Sequence, residues 1–148
     1  MWTRIVWTGS IAIALAFAQP QRSNLRERAE AGDPEAQFNL AKNYETGRAG
    51  YKKDFAEAER WYRLAAEQGD PFAQASLAIL YRFGKGVPRD YVEAYKWFYL
   101  AANQTSGGDQ QSIVELRDAT AARMNQDQIA QAVQRAREWK PKPAQISK

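Results

Sequence analysis

Residues 29–66 of this chain are written a second time at 65–102. Gly32, Asp33, Ala36, Leu40, Tyr44 and Gly47 recur as Gly69, Asp70, Ala73, Leu77, Tyr81 and Gly84, each 37 positions on. Asp54, Ala58, Trp61, Tyr62, Ala65 and Ala66 recur as Asp90, Ala94, Trp97, Phe98, Ala101 and Ala102, now 36 positions on. The Gly-rich link between the two halves of the unit has therefore lost a residue in the second copy. Stacked units tolerate such slippage, because only the flanks of the link pack. A period of this length with helical patterning specifies an all-α chain, an α-α superhelix or solenoid of antiparallel helix pairs.

Each unit reads as two helices, A and B. Asp33-Pro34 and Asp70-Pro71 open helix A, over 34–46 and 71–83. The Asp carboxylate accepts from the first free amides, and Pro at the next position has no amide to leave unpaired. Ala36, Leu40 and Tyr44, like Ala73, Leu77 and Tyr81, sit four apart and share a face. Gly47 and Gly84 suit a left-handed C-terminal cap. Helix B opens at Asp54 and Asp90, and Asp54-x-x-Glu57 and Asp90-x-x-Glu93 have the form of capping boxes, the Glu reaching back to the cap amide. Trp61 and Trp97 fall mid-helix as core anchors, and Ala65-Ala66 and Ala101-Ala102 let the next helix come close.

The flanks carry other signals. Met1–Arg4 is a short positive start, Ile5–Ala18 is uncharged and mostly apolar, and Ala16-Phe17-Ala18 is a small-x-small cleavage pattern. Residues 1–18 are thus expected to be a signal peptide cut before Gln19. Their uncharged stretch is shorter than the about 20 residues a membrane span needs, an uncleaved anchor being the rival reading. The chain has no Cys, so an exported protein of this sequence holds together without disulfides. Residues 19–31 then form an N-terminal capping helix, centred on Asn24–Ala31, and 32–104 hold the two repeats (32–68 and 69–104). Residues 105–140 form a helical C-terminal cap and 141–148 a flexible basic tail. Within the cap, Thr105–Gly108 break the chain, Asp109 caps a helix running to Met124 with Leu116 in the place of Leu77, and Asn125-x-x-Gln128 opens another helix to Trp139. Residues 135–148 carry a net +4, with Arg135, Arg137, Lys140, Lys142 and Lys148 against Glu138, equal to the +4 of the whole chain.

The repeated set resembles the Sel-one-like repeat family, relatives of the tetratricopeptide repeats. That family's unit runs Ala, Leu-small, Tyr, Gly-x-Gly, Asp, Ala, Trp-Tyr, Ala-Ala and Gly. Gly84-Lys85-Gly86-Val87 and Gly69 match it, whereas Ala41 and Ala78 stand where the family often has Gly. The first link, Gly47-Arg48-Ala49-Gly50-Tyr51, departs by its extra residue. The resemblance implies a right-handed superhelix of helical hairpins used as a scaffold for protein partners. Applied here, it implies a noncatalytic interaction or adaptor module of the bacterial cell envelope, periplasmic or secreted, as in exported bacterial members with a similar terminal segment. In tetratricopeptide-like stacks the inner groove is lined by helix A positions not used for packing, here Glu35, Phe38, Lys42 and Glu45, then Phe72, Ala75, Ile79 and Arg82, with Phe83 beside them. The candidate partner-binding residues are accordingly Phe38, Lys42, Glu45, Phe72, Ile79, Arg82 and Phe83, apolar anchors flanked by cations. The competing reading has the capping helices cover these side chains.

Chemistry is mostly excluded. With no His and no Cys, nucleophiles of the Ser-His and Cys-His kinds, thiol redox chemistry and ordinary zinc sites cannot be built from this chain alone. No Ser is followed three residues on by Lys, and Gly84-Lys85-Gly86 is too short for a phosphate loop. Glu57 with Glu59, and Glu115 with Asp118, are the nearest carboxylate pairs, read as cap and solvated face. The expectation is no enzyme activity, no cofactor, no metal, no nucleic acid and no stable membrane insertion after cleavage. The alternative is an enzyme or ligand-binder acting on cell-wall or surface polysaccharide, which two carboxyls facing across about 5–9.5 Å would favour.

Overall fold

A computed structural model of the protein describes residues 24–144, so the expected leader and residues 145–148 lie outside the described residues. Seven helices and no strands are present among the described residues. They are α1 (24–30), α2 (Pro34–Thr46), α3 (Phe55–Glu67), α4 (Pro71–Phe83), α5 (Tyr91–Ala102), α6 (Gly107–Ala121) and α7 (Gln126–Glu138). The chain is an all-α helical-repeat solenoid with two full repeats.

Both A helices, α2 and α4, start and stop where the sequence places them. Asp33 accepts from the Glu35 and Ala36 amides and Asp70 from that of Ala73, while Gly47 and Gly84 close the helices in the left-handed region at φ 71° and 66°. The B helices are capped differently from expectation. Asp54 and Asp90 accept from the amides of Ala56 and Glu57, and of Val92 and Glu93, but neither Glu reaches back to the cap. The cap amides are already committed, Asp54 to the Tyr44 carbonyl at 2.9 Å and Asp90 to that of Tyr81 at 3.0 Å. Glu57 and Glu93 are thereby free to bind elsewhere. Asn125 and Gln128 complete both halves of a capping box at the start of α7.

Helix α3 sits between α2 and α4, and α5 between α4 and α6. Leu40, Leu77, Trp61, Tyr62 and Phe98 are almost wholly buried there, and Ala65, Ala66 and Ala101 have no exposed surface. A polar ladder fixes the register. Gln37 Nε2 donates to the Ala29 carbonyl at 3.0 Å, Gln74 to Ala66 at 3.1 Å and Gln110 to Ala102 at 3.0 Å. Gln68 and Gln104 in turn donate to the side-chain oxygens of Gln37 and Gln74 at 2.7 and 2.9 Å. Helix α1 thus ends as a B helix does, and α6 begins as a third A helix. Arg26 confirms the first half of that statement by donating to the Tyr44 hydroxyl as Arg63 does to Tyr81.

This register corrects the sequence reading of α6. Buried Ile113, not Leu116, occupies the position of Leu40 and Leu77. Ser106, not Asp109, stands at the cap, without a side-chain hydrogen bond, and the helix ends at Ala121 rather than near Met124.

Helix α7 leaves the pattern and lies along α5. Arg135 meets Glu93 at 2.9 Å and the Trp139 ring meets that of Trp97 edge-on at 6.0 Å, so the two helices run in the same direction. Residues 141–144, expected to trail as a free tail, instead cross the B-to-A turns. The Lys142 amide donates to the Glu67 carbonyl at 2.7 Å and its ammonium lies 3.1 Å from the Glu67 carboxylate. Pro141 sits against Gly69 and Ala144 against Gly32, equivalent positions of successive turns. Pro141 and Pro143 keep this segment extended, which is what lets it span from one turn to the next.

Candidate partner-binding face

Phe72, Ser76, Ile79 and Phe83 recur at helical spacing and form one stripe along α4. Phe72 is 49 % and Phe83 56 % exposed, the exposed large hydrophobic side chains among the described residues. Burying an aromatic ring is strongly favourable, so two of them left open at the ends of one stripe are informative. No described capping element covers them, since α7 packs along α5 instead.

The other expected groove residues divide into two groups. Phe38 is half-buried, its ring 5.7 Å from Tyr62 and 6.5 Å from Phe72. Glu45 accepts a 2.7 Å hydrogen bond from the buried Tyr62 hydroxyl. Burial first, and then this Glu45 contact, push the Tyr62 phenol far above its ordinary value, so it stays a donor. Ile79 packs against the core. These three hold the face together rather than offering it. Lys42 is exposed on α2, and the Arg82 guanidinium lies 5.0 Å over the Phe83 ring. Lys42, Phe72, Arg82 and Phe83 are therefore the accessible members of the expected set.

Beside Phe83 the structure adds Arg89, Tyr91 and Arg123 to the Arg82 and Phe83 that the sequence singles out. A cavity of about 180 Å³ is lined by Arg82, Phe83, Arg89, Tyr91 and Arg123, where the C-terminal end of α4 meets the start of α5 and the end of α6. The second link reaches back to α3 at Gly86, where a Cβ would stand 2.3 Å from the Phe55 carbonyl oxygen and only glycine fits. That approach sets Lys85 over Phe55 at 5.4 Å, beside Lys53 over the same ring at 5.0 Å. The signal available in the sequence was the recurrence of cations in and just after the links; dispersed from 53 to 123, they do not read as a patch.

The carboxylates singled out in the sequence each have local partners. Glu57 accepts from Trp61 and Arg60, Glu59 from Arg63, Glu115 from Gln111, and Asp118 pairs with Arg117. Among the described residues no group of three or more Asp or Glu could hold a metal ion.

The Sel1 repeat model matches residues 34–70 and 71–106. A protective antigen present in uropathogenic Escherichia coli strains, displaying an SLR fold, superposes with a TM-score of 0.70 at 36% identity, over 78% of this chain and 24% of that one. A Sel1 repeat protein from Oxalobacter formigenes gives 0.54 at 32% identity, over 74% of this chain and 45% of the other. The chain thus spans less than half the length of either. No curated protein matches it significantly.

Proposed function

Since the chain belongs to the Sel1 repeat family, whose members are generally protein-interaction modules, we propose that it is a noncatalytic adaptor that docks a partner's segment on the face of α4. The observation that carries this reading is the exposure of Phe72 and Phe83 on one stripe, with the Arg82 guanidinium over the Phe83 ring and Lys42 exposed on α2. Two rings separated along a helix suit a partner segment that inserts an apolar side chain at each. The partner is a protein or peptide of the cell envelope, reached after residues 1–18 are removed. The apolar run and Ala16-Phe17-Ala18 support that location.

The test is crosslinking and affinity capture of the exported protein from its own cells, alongside a Phe72→Asp/Phe83→Asp variant. Both side chains are exposed, so the variant is expected to keep its helical circular dichroism and to lose a partner that the unaltered protein captures. A variant that unfolds would place these rings in the core and end the proposal. Sequencing of the mature N-terminus is expected to begin at Gln19; a chain that still starts at Met1 and stays in the soluble cytosolic fraction overturns the location, whereas one that starts at Met1 in the membrane fraction is the uncleaved anchor.

A further inference from the structure

The links from helix A to helix B lie side by side along one edge of the array, and cations and rings alternate there. Lys53 and Lys85 lie over Phe55 at 5.0 and 5.4 Å, Lys85 and Arg82 over Phe83 at 5.7 and 5.0 Å, and Arg89 over Tyr91 at 5.6 Å. Arg82, Arg89 and Arg123 then converge on the cavity of about 180 Å³. Among the described residues none of these five cations pairs with a carboxylate. Elsewhere pairing is common: Arg28 with Asp33, Arg63 with Glu59, Lys96 and Arg135 with Glu93.

The opposite edge is its complement in charge and is already filled. Asp33, Glu35, Glu67 and Asp70 line the B-to-A turns, and the chain's own extended segment 141–144 lies across them through Lys142. The array therefore holds one extended segment by an ion pair and a main-chain hydrogen bond at its acidic edge, and leaves its basic edge open.

From this arrangement we infer that the basic edge docks an extended acidic segment of a partner protein, with one carboxylate seated among the guanidiniums of Arg82, Arg89 and Arg123. Guanidinium groups hold carboxylates by paired, charge-assisted hydrogen bonds. The rings serve to hold the cations in line. Phe55 and Phe83 each already carry two cations, so they are poor platforms for stacked nucleobases, which distinguishes this edge from a single-strand binding surface. The inference rests on the adaptor reading for its biological use, but its test does not.

The test is fluorescence anisotropy of the full chain with a labelled dodecapeptide alternating Glu with Gly, run beside a single-stranded oligonucleotide of equal charge and vesicles of anionic phospholipid. Saturable peptide binding is expected at moderate salt. An Arg89→Glu/Arg123→Glu variant, altered at two exposed positions and checked for folding by circular dichroism, should bind at least about tenfold more weakly. A Lys140→Glu/Lys148→Glu variant should bind like the unaltered chain. No saturable binding, equal losses in both variants, or tighter binding of the oligonucleotide or the vesicles would each overturn the inference. If the peptide fails while Phe72→Asp/Phe83→Asp still loses its captured partner, the docking of an acidic segment on the basic edge falls and the adaptor reading stands.

Discussion

Equivalent residues of the two repeats are not in equivalent states. The Trp61 indole N–H donates to Glu57 at 3.2 Å, whereas that of Trp97 is buried without a partner, because Glu93 is held by Lys96 and Arg135. Truncating either ring to Ala should cost about 3–5 kcal/mol, read from denaturant melts. Trp61→Phe should cost about 1 kcal/mol more than Trp97→Phe, since only the first breaks a satisfied hydrogen bond. The cap aspartates also diverge. At Asp33 burial acts upward, but the Arg28 guanidinium and the Ala36 and Glu35 amides outweigh it and hold the carboxyl below its ordinary 3.8. At Asp70 burial leads and, with the charge of Glu35, prevails over the amides, so the carboxyl is raised above 3.8. Carboxyl NMR should show Asp70 taking its proton at higher pH than Asp33. The stability that Asp33 contributes is present above 3.8 and is lost as pH falls through its lower folded value. The charge on Asp70 costs stability at neutral pH, and that cost fades as pH falls through its raised folded value. Asp70→Asn, which keeps a capping oxygen, should therefore raise the neutral-pH melting temperature, while Asp33→Asn, which gives up the Arg28 pair, should lower it.

At the scale of elements, the helices that announced themselves were those with strong stop and start chemistry. Asp-Pro and a terminal Gly fixed α2 and α4 to the residue, because capping is local and those residue types do little else there. The registers of α1 and α6 were hidden, since they rest on Ala29, Gln110 and Ile113, types common in any helix. The capping boxes at α3 and α5 were misread for another reason. Which acceptor takes the cap amide is decided by the preceding helix, at Tyr44 and Tyr81, and no spacing rule contains that. A consequence is measurable. With no side-chain bond at Ser106, the first turn of α6 should exchange its amide hydrogens faster than the first turns of α2 and α4 in native-state exchange. Equal protection would mean that packing on α5 alone secures that turn.

Across the whole molecule, the array runs from a terminal B helix through two repeats to a third A helix, with one edge acidic and the other basic. The exposed rings of the candidate face, Phe72 and Phe83, are reached from the sequence only by aligning helix A on the tetratricopeptide-like groove scheme, which also names Lys42 and Arg82. The cavity beside them could not be read, because Arg82, Arg89 and Arg123 come together only when three helices are stacked. The tail was legible as extended and basic, but its acceptor, Glu67, lies far off in sequence. Deleting residues 139–148 removes the ring against Trp97 and the Lys142 contacts, so the melting temperature should fall while the helical spectrum of the repeats persists.

Ala144 resting on Gly32 also changes the mechanics of the molecule. A bare stack of helix pairs is a spring open at both ends and unwinds turn by turn from whichever end is pulled. Here the segment 141–144 runs across two successive turns and is pinned between them by the Lys142 contacts with Glu67, so the stack carries a strap along one edge. Parting the two repeats at that edge requires the strap to lift as well.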